Sequence, residues 1–192
     1  MPIRGSLFLL LNVLLRLVVL NPLQINNRTL SALAETEALT KVANRRAFDL
    51  GLEREVAMAR ANGQALSVLM LDIGHFKNIN DEFGHGVGDE VLRTLARELS
   101  KKFRTADLFA RLGGEEFIAM LPGMAMADAV QRAQALCKLS VGIDFGVSRS
   151  VTISIGVAQW IGSESATMVI ERSDAALYRA KHLGRNRVES AS

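Results

Sequence analysis

Apolar and polar positions along this chain switch between a helical period and strand-like runs. From Asn44 to about Ala61 the apolar residues recur every three or four positions, so that Phe48, Leu52, Val56 and Ala59 share one helical face. Asn44 suits the cap of that helix, and Asn62-Gly63 its stop. Residues 65–73 form an apolar run that ends in Asp72-Ile73 and reads as a buried strand. The helical period returns from Gly88 to Phe103, where Val91, Leu92, Leu95, Leu99 and Phe103 line one face and Lys101-Lys102 complement the C-terminal end. Asp107-Leu108-Phe109-Ala110 and Phe117-Ile118-Ala119-Met120-Leu121 are two short strands, with Gly113-Gly114 as the tight turn between them. A helix from about Ala125 to Leu139, a strand over 150–160 and a helix from about Ala166 to His182 complete the pattern. The order β, α, β, β, α, β predicts an α/β (α+β) ferredoxin-like fold with an antiparallel central sheet and helices packed on one face.

The first residues differ from the rest. Leu7 to Leu20 is almost wholly apolar, but Asn12 and Arg16 interrupt it. A membrane span needs roughly 20 apolar residues, and a central arginine costs roughly 2.5–3.5 kcal/mol on insertion scales. Residues 1–27 are therefore read as a hydrophobic leader or a candidate membrane anchor, the last helix of a longer membrane sensor being an equivalent reading. A cleaved secretory signal fits less well, because no small-residue cleavage site follows cleanly. Pro22 and Asn26-Asn27 break the segment, residues 28–41 read as a short linker helix, and residues 42–190 form the main domain.

Composition narrows the function classes. With 192 residues and 49% hydrophobic content the chain can bury one core. The single cysteine, Cys137, excludes an internal disulfide and reads as a buried thiol in a reducing compartment. A net charge of +3, with no long Lys/Arg tract interleaved with aromatics, argues against a nucleic-acid partner.

The candidate chemistry lies in the carboxylates. Glu115 and Glu116 follow Gly113-Gly114 on the turn, and Asp72 closes a buried strand. A charge in that position costs several kcal/mol unless a cation or hydrogen-bond donors compensate it. A strand beside the hairpin would bring the three together as the oxygen-rich site that Mg²⁺ prefers, with waters and substrate phosphates completing the octahedron. Paired acids on a turn are otherwise common solvated residues, so the reading rests on the convergence.

With Gly113-Gly114-Glu115-Glu116-Phe117 stand Leu71-Asp72-Ile73-Gly74-His75-Phe76-Lys77, Asn80-Asp81-Glu82-Phe83-Gly84-His85-Gly86-Val87-Gly88-Asp89, Thr152 to Ala158, Asn44 to Phe48, and Asp174 to Val188. In their order along the chain they resemble the GGDEF family of diguanylate cyclases over most of its length. The resemblance implies a palm-like, nucleotidyl-cyclase-like fold and the condensation of two GTP into cyclic di-GMP with release of two pyrophosphates. It implies two Mg²⁺ (or Mn²⁺) ions per active site, held by Asp72, the backbone carbonyl of Ile73, Glu115 and Glu116, with Glu115 or its neighbour helping to deprotonate the 3′-hydroxyl. Asn80 and Asp89 would select guanine, because a carboxylate accepts from N1–H and the 2-amino group. His85 either contacts the nucleotide or fixes its loop. Phe76 and Lys77, read as lying in a loop after the metal strand, would meet the β- and γ-phosphates, with Lys181 and Arg185 completing the clamp. Arg104 and Asp107 would form an inhibitory site for cyclic di-GMP, although in isolation a surface ion pair explains that spacing. Two facing nucleotides require a homodimer, and use of GTP implies a cytoplasmic catalytic domain, attached to the inner membrane if residues 7–20 anchor it. Gly74, Glu37-Ala38 and Lys41 depart from the family pattern without removing a metal or guanine residue. A catalytically silent cyclic di-GMP receptor and a membrane-associated interaction protein are the alternative functions.

Overall fold

The structure, a computed structural model, describes residues 35–191. The elements run β1 (Ala43–Asn44), α1 (Arg45–Asn62), β2 (Leu66–Ile73), α2 (Phe76–Phe83), α3 (His85–Ser100), β3 (Leu108–Gly113), β4 (Glu116–Pro122), α4 (Met126–Val141), β5 (Ile153–Gln159), α5 (Ala166–His182) and β6 (Val188–Ser190). They build a six-stranded sheet in the order β1-β3-β4-β2-β5-β6. The four inner strands pair antiparallel, as the sequence pattern predicts, but β1 joins β3 and β6 joins β5 in parallel, so the sheet is mixed.

The helices cover both faces of the sheet, not one. Along β2, Leu69, Leu71 and Ile73 pack with Ile79 of α2, Val91 and Leu95 of α3 and Ala133 and Leu136 of α4. The alternate residues Val68 and Met70 pack with Phe48 and Leu52 of α1 and Val169 and Leu177 of α5. All eight residues of β2 are buried, and an apolar run without polar alternation is the signature of a strand covered on two sides. Each large apolar side chain fully covered here contributes roughly 1.5–3 kcal/mol relative to exposure.

Local signals account for several boundaries. The Asn44 side chain accepts from Ala47 N–H at 2.9 Å, and α1 stops at Gly63 in the left-handed region with φ 67°. Phe48, Leu52, Val56 and Ala59 are its buried face, as the periodicity predicts. Phe76 and Lys77, expected in a loop, open the helix α2, and α3 starts at His85, before the expected Gly88. Over its described part, 35–41, the expected linker helix is a turn. Glu37 holds it by accepting from Leu39 N–H (3.0 Å), Thr40 N–H (2.8 Å) and the Thr40 hydroxyl (2.6 Å), and Thr36 bridges back to Ala43. The hydrophobic leader, the candidate anchor at 7–20 and the linker up to residue 34 lie outside the described residues. Among the described residues, no helix is long and apolar enough to cross a membrane.

Candidate active site

The register of the sheet gathers the carboxylates. Asp72, near the end of β2, is the direct partner of Glu116 on β4 and of Ser154 on β5. Ile73 N–H donates to the Glu115 carbonyl at 3.4 Å, which fastens the hairpin turn to the strand beside it. Asp72 is only 5% exposed. Lys181, in the last turn of α5, reaches across the sheet face and places its Nζ 2.5 Å from Asp72 Oδ2.

Electrostatics tie these groups into one unit. Burial pushes the Asp72 carboxyl up from its ordinary range, while the Lys181 ammonium and the charge of Arg185 act against that rise. Burial also raises Glu115, and the negative charges of Asp72 and Glu116 push it further up against the pull of Lys181. A carboxylate that feels two others and a shared lysine belongs to a site where charge has been concentrated.

Arg185 is brought in by a turn that few side chains tolerate. Gly184 (φ 111°) is followed by Arg185 (φ 60°) and Asn186 (φ 47°), both left-handed. The turn is held by Arg185 N–H to the Ala180 carbonyl (3.0 Å), Asn186 N–H to the Ser154 hydroxyl (3.2 Å) and Ile155 N–H to the Arg187 carbonyl (2.9 Å). Ser154 is thus a positioning residue that the sequence pattern did not single out.

The other expected site residues fall on α2 and α3. Phe76 is not a loop residue free to touch phosphate: the residue is 6% exposed and its side chain packs in the core, so only its backbone can face a ligand. Phe76 and Lys77 open α2, where amide N–H groups lack intrahelical acceptors, and the Lys77 side chain is exposed. Asn80 sits against Gly88, with its Oδ1 only 1.9 Å from where a β-carbon would stand, so the glycine leaves the room that the Asn80 side chain occupies. Half-buried Asp89 follows in α3 beyond the first turn, so a helix-dipole role does not account for it. His85, exposed, is the first residue of α3.

Arg104 and Asp107 do form an ion pair, at 2.7 Å, and the Asp107 side chain is fully covered. It accepts from Arg104 N–H at 2.8 Å and shares its Oδ2 with Arg132 of α4 at 3.1 Å. Arg104 remains 44% exposed, so the guanidinium, not the expected Asp107 acceptor, faces solvent. Arg132 escaped the sequence reading because it lies a full helix away from this pair.

A family model described as "Diguanylate cyclase, GGDEF domain" matches residues 34–187. The chain belongs to the GGDEF domain family. It is 44% identical over 161 residues to Diguanylate cyclase DgcP of Pseudomonas aeruginosa, a match that takes in 82% of this chain and 24% of that protein. The GGDEF domain of DgcB from Caulobacter crescentus, solved in complex with c-di-GMP, superposes with a TM-score of 0.79 at 36% identity, covering 82% of this chain and 93% of that one. The active GGEEF domain of a diguanylate cyclase from Vibrio cholerae superposes with a TM-score of 0.74 at 34% identity, covering 78% and 97%. This GGDEF chain spans between 24% and 36% of the first curated relatives it matches. Its fold is the palm-like nucleotidyl-cyclase fold expected from the sequence.

Family membership implies a divalent metal. Among the described residues no three His, Cys, Asp or Glu side chains are gathered tightly enough to hold an ion by themselves. The mutually repelling pair Asp72 and Glu115 nevertheless suits a hard cation that keeps several waters and takes substrate phosphates as further ligands. The donor set therefore fits such an ion.

Proposed function

We propose that this chain is the catalytic domain of a diguanylate cyclase, which joins two GTP into cyclic di-GMP and releases two pyrophosphates. The observation that carries this reading is that the register sets Asp72, paired with Lys181, directly opposite Glu116 and fastens the turn residue Glu115 to Ile73. Asp72, the Ile73 carbonyl, Glu115 and Glu116 would hold two Mg²⁺ (or Mn²⁺) ions. When bound, such ions neutralise the charge that develops on the triphosphate.

The chain's own groups bind, orient and move a proton. The N-terminal amides of α2, Lys77, Lys181 and Arg185 hold the phosphates. Asn80 and Asp89 accept and donate at the guanine edge in a pattern that adenine does not match. His85 borders that pocket. Glu115, held above the ordinary carboxylate range, is suited to accept the 3′-hydroxyl proton. The 3′-oxygen then bonds to the α-phosphorus of the facing nucleotide, the bond from that phosphorus to the β-phosphate bridging oxygen breaks, and pyrophosphate leaves. The same exchange in the opposite direction closes the ring. Since one domain holds one nucleotide, two copies must meet face to face. Arg104, oriented by Asp107, would take the product back as an inhibitor.

The test is to incubate the purified chain with GTP and Mg²⁺ and chromatograph the products. Cyclic di-GMP should accumulate with a rate that rises faster than linearly with protein concentration. No cyclic dinucleotide at any concentration, with cyclic di-GMP still bound, would replace the enzyme with a receptor.

A further inference from the structure

We infer that Arg111 is a positioning residue for the catalytic turn and that Glu37, in the turn leading into the domain, anchors it. The inference deepens the cyclase reading and rests on it. Arg111 lies on β3 with its side chain 11% exposed. One edge of its guanidinium donates to the Gly114 carbonyl, through Nε at 3.1 Å and Nη2 at 2.7 Å. Its third nitrogen, Nη1, stands 3.1 Å from Glu37 Oε2.

The turn between them has few other fixings. The ladder slips between Arg111 and Gly113, and Gly113 (φ 149°) and Gly114 (φ 52°) adopt backbone that other residues resist. Two successive carbonyls are held: that of Gly114 by Arg111 and that of Glu115 by Ile73 N–H. Fixing both sets the peptide planes on either side of the Glu115 α-carbon and so the direction in which the Glu115 side chain leaves the backbone. The anchor is itself immobilised. Glu37 is bonded to its own turn by three donors, its N–H donates to the Val42 carbonyl at 2.8 Å, and β1 sets Asn44 opposite Arg111. A planar fork bridges two acceptors in this way and a lysine ammonium does not. A shift of the segment around Glu37 therefore reaches Glu115 through a single side chain.

Arg111→Lys and Glu37→Gln, in the full chain, separate this from a mere ion pair. In Arg111→Lys, kcat should fall about tenfold to a hundredfold, as small misplacements of reacting groups do, while KM for GTP stays within about twofold. Amide hydrogen exchange at residues 114–116 should quicken, and Glu37→Gln should move both readouts in the same direction by less. A wild-type kcat in Arg111→Lys, or a loss expressed only in KM, would overturn the inference. If the unmutated chain makes no cyclic di-GMP, the cyclase reading has failed by itself, and the exchange readout then judges Arg111: unchanged protection of the turn in both variants overturns its role.

Discussion

Gly156→Ala should be among the most damaging single-methyl changes in this domain. Gly156 lies in the middle of β5, and a β-carbon there would stand 2.1 Å from the Ser173 carbonyl oxygen, 2.2 Å from Leu177 N and 2.8 Å from Leu177 Cα. All three obstacles are backbone of α5, so no side chain can rotate away. Even a 3.0 Å separation requires α5 to retreat by about 0.9 Å from the sheet, taking the buried Val169, Ala176, Leu177 and Ala180 with it. A gap of ~0.5–1 Å forfeits a quarter to a half of each dispersion contact along the interface. Overpacking typically costs ~1–3 kcal/mol, and rigid backbone places this case at or above ~3 kcal/mol. The retreat also draws Lys181 from Asp72, so nucleotide affinity should fall in whatever fraction stays folded. Urea unfolding followed by circular dichroism measures the first effect and calorimetric titration with GTP the second. Gly86→Ala is the control, because a β-carbon there meets nothing within 4 Å and alanine favours a helix. A Gly156→Ala protein within ~0.5 kcal/mol of the unmutated chain would refute the argument that this glycine sets how closely α5 approaches the sheet.

Three further outcomes follow from named groups. At Glu37, burial alone would raise the carboxyl, but the Thr40 hydroxyl, the N–H groups of Leu39 and Thr40, and Arg111 outweigh it and lower it from 4.5 to about 2. A depressed carboxyl stabilises the fold above its unfolded value, and that part is lost as pH falls from about 4.5 towards 2. At about 1.36 kcal/mol per unit this is at most ~3 kcal/mol, and partial solvent access brings it to roughly 1–2 kcal/mol. Acid titration of Glu37→Gln should show a shallower loss of stability over that window, and an unaltered curve would contradict the assignment. Arg104→Ala should raise the cyclic di-GMP concentration needed for half-inhibition at least about tenfold, the loss of about 1.4 kcal/mol expected for a charged hydrogen bond; unchanged inhibition in a steady-state assay would exclude this site. Burial pushes the Cys137 thiol up to about 12, and its Sγ sits 3.4 Å from the Ile153 carbonyl, so it should resist a thiol reagent in the native chain and react on unfolding.

The sequence was most legible where one periodic pattern served one element. In α1 the cap, the stop and all four buried positions agree with the spacing. Helix α2 was hidden although Phe76 and Ile79 are buried at helical spacing, because His75 caps it in a left-handed conformation without a side-chain bond and Gly74 precedes it. Glycines 84, 86 and 88 made the start of α3 look like loop, whereas Gly88 is there to admit Asn80. The two-sided cover of β2 was present in its unbroken apolar run, but the strand order that suggested a ferredoxin-like sheet does not say how many faces the helices occupy. Asp72, Glu115 and Lys181 could be named from motif, but the register that sets Asp72 beside the hairpin and the docking of α5 that brings Lys181 to it could not. Arg132, Ser154 and the Arg111 bridge depend on tertiary approach, which no local spacing encodes.

The cyclase reading requires Asp72 and Glu115 to act as one site. Initial rates of cyclic di-GMP formation should be compared for Asp72→Asn, Glu115→Gln and the double variant at saturating GTP and Mg²⁺. Each single change should lower the rate at least about a hundredfold and the double little further, because groups that act as a unit are not additive. A rate near that of the unmutated chain in Asp72→Asn, or losses that simply multiply in the double variant, would contradict the account.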